Sequence, residues 1–144
     1  MEYLIRHLDS SDYEEIISLW SRTGLSYKRT GRDSIESMSK DFKRPDTCFF
    51  GMFDGNKMIG VVIATSDGRK GWINRLAIDP DYRGRSFAGY LIREAENFLH
   101  GLGIKVIAAL IEDENTPSMS TFTKEGYICM PSILYFSKRG SDED

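Results

Sequence analysis

The sequence predicts an α/β (α+β) fold built on a mixed sheet, and three observations lead to this prediction. Apolar segments at residues 47–53, 58–65 and 71–78 are separated by tight turns, as is typical of consecutive antiparallel strands. An amphipathic segment begins near residue 87, and a second apolar run follows at residues 105–111. A strand, a helix and a strand in this order form a βαβ unit, whose two strands are parallel.

The chain before these strands predicts one strand and two helices. Residues 3–8 have the composition of a strand, and either serine of the pair 10–11 can cap a helix with an acidic first turn. Residues 24–31 are polar and bounded by glycine, which indicates a loop. Asp33 or Ser34 is the expected start of the second helix.

The remaining elements follow from local signals. Asp54-Gly55 is a hairpin turn, and apolar residues recur at helical spacing over residues 88–102. The run at residues 105–111 is continuously apolar, which predicts a strand buried on both faces. Thr116 as cap and Pro117 in the first turn predict a short helix that ends near Gly126, and residues 133–138 predict a final strand.

Composition limits the classes of function. A chain of 144 residues with 40% hydrophobic content predicts one domain, residues 1–144. No apolar stretch approaches the roughly 20 residues of a membrane span, and the first residues lack a signal-peptide pattern, so we expect no membrane partner and a cytoplasmic location. The net charge of -3 argues against a nucleic-acid partner. Both a monomer and a homodimer are compatible with an open sheet edge.

The two cysteines predict neither a metal site nor a disulfide. Cys48 and Cys129 are far apart and lack the spacing of zinc ligands, so we expect both to be small buried residues. Neither cysteine is placed to favour a covalent intermediate, but Cys129 lies near the last predicted strands, so covalent catalysis stays open as a less favoured alternative.

The loop at residues 83–88 is the candidate anion site. It contains Arg83, Gly84, Arg85, Ser86, Phe87 and Ala88. Unpaired amides at a helix start, the helix dipole and two guanidinium groups are what a diphosphate requires. The chain contains neither G-x-x-x-x-G-K-[ST] nor a G-x-G-x-x-G after an N-terminal strand, which removes the main support for P-loop and dinucleotide-binding proteins.

Two motifs in register resemble the GNAT superfamily of N-acetyltransferases. The loop matches Arg-x-x-Gly-x-Gly/Ala from Arg83 to Ala88, except that Ser86 replaces the central glycine; an ordinary helical backbone is expected there. Residues 115–127 resemble the family segment Asn-x-x-Ala-x-x-x-Tyr-x-x-x-Gly-Phe, with Asn115 first. At the position where many members carry tyrosine this chain has Phe122.

The resemblance implies a GNAT-like fold from end to end, with a largely antiparallel sheet, a central parallel strand pair and helices on both faces. It also implies acetyl-CoA as co-substrate, with its pantetheine arm beside the main chain of Leu76, Ala77 and Ile78. The amides of Leu76 and Ile78 are then candidate donors to the thioester oxygen. Asn115 and Phe122 would lie beside the cofactor.

An amine acceptor needs a base, because an amine with a pKa of about 10.4 is protonated at pH 7. Glu112 is the first candidate, ahead of Asp113 and Glu114; alternatively all three form a solvated turn or attract a cationic substrate. Residues 27–29 lie in the loop that, by analogy, covers the acceptor side.

We therefore expect an acetyltransferase in which an amine attacks the acetyl group directly in a ternary complex. Two alternatives remain open at this point. Phe122, which cannot protonate the leaving thiolate, would suit a noncatalytic acyl-CoA-binding regulatory module. The loop at residues 83–88 could also merely start a helix in an interaction domain.

Overall fold

The computed structural model describes residues 3–112 and 114–142, which fold into one sheet with helices on both faces. The strands are β1 Tyr3–His7, β2 Thr47–Asp54, β3 Lys57–Ser66, β4 Lys70–Ile78 and β5 Val106–Ala108. The helices are α1 Tyr13–Thr23, α2 Ile35–Phe42, α3 Phe87–Gly101 and α4 Thr116–Lys124.

The sheet has the order β1-β2-β3-β4-β5, and only the β4–β5 pair is parallel. This confirms the predicted mixed, largely antiparallel sheet. The predicted central position of the parallel pair is not reproduced in the described residues, because β5 forms the edge of the sheet. The parallel pair still supplies the geometry of the βαβ unit, with α3 as the crossover.

The edge position of β5 corrects two strand predictions. β5 covers three residues instead of the predicted 105–111, and Val106 is 54% exposed, so the strand is not buried on both faces. Residues 133–138 form no strand, and their large apolar side chains are mostly exposed. A β-prone segment becomes a strand only where a neighbouring edge pairs with it, and β5 is too short to provide that edge.

Two apolar cores, one on each face of the sheet, fix the helices. Leu91 and Leu99 of α3 pack against Val62 of β3 on one face. Trp20 of α1 and Met38 of α2 pack with residues of β2 and β3 on the other. Successive strand residues point to opposite faces, so the same strands serve both cores. Each fully buried large side chain contributes about 1.5–3 kcal/mol.

The predicted cap is correct for α2 and wrong for α1 and α4; at α4 the cap is Asn115 instead of Thr116. Ser34 caps α2, as predicted, by accepting the amide of Ser37. Before α1 a turn of 3-10 helix intervenes, and its capping box joins Asp9 and Asp12 instead of using a serine as cap. A carboxylate satisfies the free amides as well as a hydroxyl does, and the register of the turn decides which residue is used.

The cysteines differ from each other in burial. Cys48 is 7% exposed, as expected, and burial raises the pKa of its thiol to about 11. Cys129 is exposed, so the prediction of burial was wrong for it. It follows α4 in a segment without regular structure, and no sheet covers it there.

Asp79 fixes the corner where β4 turns toward α3. Its buried carboxylate accepts the Arg22 Nε–H at 3.1 Å and the Asp81 amide at 2.9 Å, and Lys57 Nζ lies 3.7 Å away. Burial alone would raise the pKa of this carboxyl, but these donors and charges outweigh burial and hold the pKa below its usual value. The corner therefore depends on an ionised aspartate.

We expect Asp79→Asn to lower the free energy of unfolding at pH 7 by about 1–3 kcal/mol, because asparagine keeps the cap but loses the charge. The folded pKa lies below the unfolded value of about 3.9, so this stability is present above the unfolded pKa and is lost as pH falls through the folded pKa. Urea denaturation at pH 7 and pH 3 measures both effects.

The matched control is Asp46→Asn, whose ion pair with Arg44 is exposed; it should leave stability at pH 7 nearly unchanged. A deficit in Asp79→Asn that is equally large at pH 3 would contradict the assignment.

Candidate active site

A cleft opens where β4 and β5 separate. The two strands pair only between Lys70–Trp72 and Val106–Ala108, and beyond these residues they diverge. The resulting space is about 440 Å³, within the range of small-molecule sites. Its walls are the second half of β4 (Ile73, Arg75, Leu76), the segment after β5 (residues 109–112), the start of α4 with Phe122, and residues 24–26 of the loop after α1.

A β-bulge in β4 bends the strand at the cleft. Val61 lies opposite Ala77 and Ile63 lies opposite Asn74, so β4 has one residue more than β3 between these pairs. Arg75, inside the bulge, has φ 54°, a left-handed conformation that is rare outside glycine. A bulge twists and redirects its strand, which accounts for the separation of β4 from its parallel neighbour.

The hydrogen-bond alternation of β4 determines which amides face the cleft. The Asp79 amide donates to the Ile59 carbonyl of β3 at 2.7 Å, and every second residue of an antiparallel strand repeats this direction. Ala77 therefore faces β3, which argues against its amide as a cofactor contact. The main-chain groups of Ile78 and Leu76 face the opposite edge, and the Ile78 carbonyl accepts the Arg83 Nε–H at 3.3 Å.

The loop at residues 83–88 has two residues with left-handed backbone. Gly84 has φ 80°, and a Cβ built on it meets no atom within 4 Å. Ser86 has φ 63° and ψ 20°, so the expected helical backbone at this position was wrong. Serine here adopts a left-handed conformation that glycine reaches readily and other residues rarely do, and its side chain makes no capping hydrogen bond.

The start of α3 is favourable for an anion. Its first turn, which contains Phe87 and Ala88, has no acidic residue, and the first amides of a helix lack intrahelical acceptors. Arg83 and Arg85 are exposed beside it. Arg85 donates to the Tyr3 hydroxyl at 3.2 Å and lies over the Tyr82 ring, so its guanidinium is held near the loop.

Helix α4 borders the cleft with Asn115 and Phe122. Asn115 caps the helix, its Oδ1 accepting the Ser118 amide at 3.2 Å, which leaves its amide nitrogen as the donor for a ligand. Phe122 is 5% exposed and belongs to the core shared with α3. The Tyr127 hydroxyl donates to Glu96 at 2.7 Å, and burial first, then this bond, raises the pKa of Tyr127.

Two carboxylates lie at the open side of the cleft. Glu112 and Glu114 are both exposed and both belong to its lining. Asp113, the remaining candidate from the sequence, lies outside the described residues.

Arg75 is the residue of this site that the sequence analysis missed. Its side chain is 15% exposed, lies over the Trp20 ring at 4.7 Å, and donates to Asp33 Oδ2 at 3.0 Å and to the Ser26 carbonyl at 3.1 Å. The sequence did contain a signal for Arg75, because a charged residue within a largely apolar strand is rarely buried unless another group pairs with it.

Comparison with known proteins decides the family. A family model described as the acetyltransferase (GNAT) family matches residues 3–127. The chain belongs to the GNAT acetyltransferase family. The resemblance found in the sequence and the prediction of an acyltransferase are thereby confirmed.

Individual GNAT relatives agree with this assignment. An acetyltransferase of Sodalis glossinidius (strain morsitans) is 29% identical over 135 residues, which are 94% of this chain and 94% of the relative. The N-acetyltransferase PaiA of Thermoplasma acidophilum, solved in complex with coenzyme A, has a TM-score of 0.77 and 22% identity over 87% of this chain and 89% of its own.

A second solved structure, AAC(6′)-Iy with the bisubstrate analogue CoA-S-monomethyl-acetylneamine, has a TM-score of 0.80 and 17% identity over 96% of this chain and 99% of its own. At these identities the likeness to the solved structures concerns the fold, and it confirms the predicted fold class.

The described residues, 3–112 and 114–142, offer neither a metal centre nor a membrane-spanning helix. They contain no cluster of three or more potential metal-ligating side chains and no helix long and apolar enough to cross a membrane.

Ser86→Gly should raise the free energy of unfolding by about 0.5–1 kcal/mol. A left-handed non-glycine residue costs about 1–2 kcal/mol, which exceeds the entropy that glycine adds to the unfolded chain. Urea denaturation measures the change. Ser21→Gly in α1, where the backbone is right-handed, is the control and should destabilise slightly. Destabilisation by both variants would mean that Ser86 is not strained.

Proposed function

We propose that this protein binds acetyl-CoA in the cleft between β4 and β5 and transfers its acetyl group directly to an amine. The observation that carries the proposal is that the cleft and the anion loop at residues 83–88 are continuous. Leu76 lines the cleft, and two residues later the Ile78 carbonyl binds the Arg83 side chain of the anion loop. A ligand with a diphosphate at one end and an extended arm at the other fits this arrangement.

The anion loop is suited to the diphosphate. Left-handed backbone at Gly84 and Ser86 turns the chain into α3, where the amides of Phe87 and Ala88 begin the helix without an acidic side chain nearby in the first turn. Backbone donors and the helix dipole then favour a bound phosphate. Arg83 and Arg85 add charge, and both are exposed to a ligand.

The main chain of β4 is suited to the pantetheine arm. An unpaired strand edge binds an extended, amide-bearing ligand by the same hydrogen bonds that bind a further strand. The amides of Leu76 and Ile78 point to this edge, and one of them donates to the thioester oxygen, where negative charge develops as the amine attacks. Fixed amides of this kind need no rearrangement during the reaction.

The acceptor is a cationic amine that enters past the carboxylates. Glu112 and Glu114 line the cleft, and the charge of Arg75 on the same lining is matched by Asp33. The side chains at this entrance therefore attract positive charge. The Asn115 amide nitrogen and Phe122 lie on the α4 side, where they contact the acyl donor.

The reaction needs a base to remove a proton from the amine, and Glu112 is assigned this role. Glu112 removes the proton from the amine, directly or through water, because it is a carboxylate on the segment that faces β4 across the cleft. Phe122 cannot donate a proton to the leaving thiolate. A thiol with a pKa of about 8.5 is a tolerable leaving group near neutral pH, so transfer proceeds without a dedicated acid.

The deciding experiment is calorimetric titration with acetyl-CoA, followed by release of CoA thiol in the presence of spermidine, L-lysine, an aminoglycoside or a short peptide with a free N-terminus. We expect binding and thiol release that depends on one of the amines. Binding without release from any of them would argue for a noncatalytic acyl-CoA-binding module. No binding would overturn the site.

Gly84→Glu should weaken acetyl-CoA binding by roughly 100-fold or more, because a carboxylate on the loop repels the diphosphate and occupies its place. The matched control is Gly68→Glu in the β3–β4 turn, where the glycine also has a left-handed φ and open space around its Cβ. Both variants carry the same strain and charge, so similar melting curves and different calorimetric affinities are expected. Equal affinities would remove the loop from the site.

Glu112→Gln should lower kcat/KM for the amine by about 10²–10⁴-fold and leave the affinity for acetyl-CoA unchanged. With the base removed, the rate should follow the fraction of free amine as pH rises. Glu114→Gln is the control, expected to change mainly KM through the loss of one attracting charge. A pH profile of kcat/KM that is the same in Glu112→Gln and the unaltered chain would exclude Glu112 as the base.

A further inference from the structure

Arg75 joins the bulge of β4 to the loop between α1 and α2. One nitrogen of its guanidinium donates to the Ser26 carbonyl at 3.1 Å, and the other donates to Asp33 Oδ2 at 3.0 Å. The flat face of the group lies over the Trp20 ring, 4.7 Å from its centroid. A single side chain therefore contacts α1 and both ends of the loop.

Asp33 is itself held from two sides. Its Oδ2 also accepts the Lys28 amide at 2.7 Å, and its backbone carbonyl accepts the buried Tyr13 hydroxyl at 2.6 Å. The Leu25 amide donates to the Trp20 carbonyl at 3.1 Å, which fastens the beginning of the same loop to α1. Arg75 adds the link from this loop to the strand that carries the candidate oxyanion amide.

Stability of the fold alone does not explain why Arg75 is paired with Asp33 at this position. Burial lowers the pKa of the Arg75 guanidinium, which reflects the cost of removing a cation from water, and the Asp33 carboxylate offsets part of that cost. Buried ion pairs are often no more stabilising than apolar side chains of similar size. The planar, forked guanidinium instead fixes two partners in one orientation.

The position of the link relates it to the reaction. Ser26 and Leu25 form one wall of the cleft, and Glu112 with Glu114 lies on another. Arg75 immediately precedes Leu76, whose amide faces the cleft edge. Any shift of the loop relative to Arg75 therefore changes the distance between the acceptor wall and the reacting carbonyl.

We propose that Arg75 is a positioning residue that holds the acceptor wall, residues 24–33, at a fixed distance from the Leu76 amide and so sets the affinity for the amine. This inference rests on the proposed function of the cleft. Arg75 acts through the loop, because its guanidinium is paired with the Ser26 carbonyl and the Asp33 carboxylate.

Amide hydrogen exchange tests the link without any substrate. In Arg75→Met, which keeps the length of the stem, the amides of residues 24–33 should exchange at least about tenfold faster than in the unaltered chain. Asp33→Asn, which can still accept the Lys28 amide, should act in the same direction from the other side of the pair. Arg44→Met removes an exposed ion pair elsewhere and should leave the loop unchanged. Unchanged exchange in both Arg75→Met and Asp33→Asn would overturn the proposal.

Steady-state kinetics with the amine that gives the fastest thiol release tests the consequence. Arg75→Met should raise KM for this amine about tenfold or more, with less than a twofold change in kcat and in the Kd for acetyl-CoA. Arg75→Lys, which keeps the charge but not the fork, should fall between Arg75→Met and the unaltered chain. An unchanged KM, or a parallel loss of acetyl-CoA affinity, would overturn the positioning role. Failure of the proposed function has a different signature, namely no thiol release from the unaltered chain, and the exchange measurement still decides the link in that case.

Discussion

The site depends on the departure of β4 from β5. A sheet normally satisfies both edges of every inner strand, and here the bulge at Arg75 leaves the second half of β4 paired to β3 alone. The open edge is stable because β3 pairs with β4 between Gly71 and Ile78 and the two cores pack against both faces of the sheet. In the described residues the second half of β4 thus has no strand partner on its cleft side, and an unpaired strand edge of this kind suits an extended ligand.

Charge is distributed unevenly along this open edge. Arg83 and Arg85 lie at the end of β4, beside the start of α3, whereas Glu112 and Glu114 lie across the cleft. The cationic and anionic ends match the two proposed substrates, one of which carries phosphates and the other an ammonium group. A chain with a net charge of -3 can therefore bind a polyanion, because local arrangement counts for more than the total.

Local signals in the sequence were sufficient for most elements and for the family. The hairpin at Asp54-Gly55 and the anion loop depend on short-range backbone chemistry, which the residues themselves specify. The bulge depends on the register between β3 and β4, and the sequence of either strand alone does not encode it. Arg75 was missed although a charged residue within a largely apolar strand is a sequence signal. The backbone of Ser86 was misjudged because a left-handed conformation is rare outside glycine. Residues 133–138 show the converse, since strand propensity without a pairing edge produced no strand.

Because the two cysteines differ in burial, a thiol reagent should label one of them and not the other. With a thiol pKa of about 11, Cys48 is only about one part in a thousand thiolate at pH 8, and its burial keeps reagents away. Cys129 is exposed. A maleimide fluorophore should therefore attach at one defined position, in the segment that follows α4, without any change to the sequence.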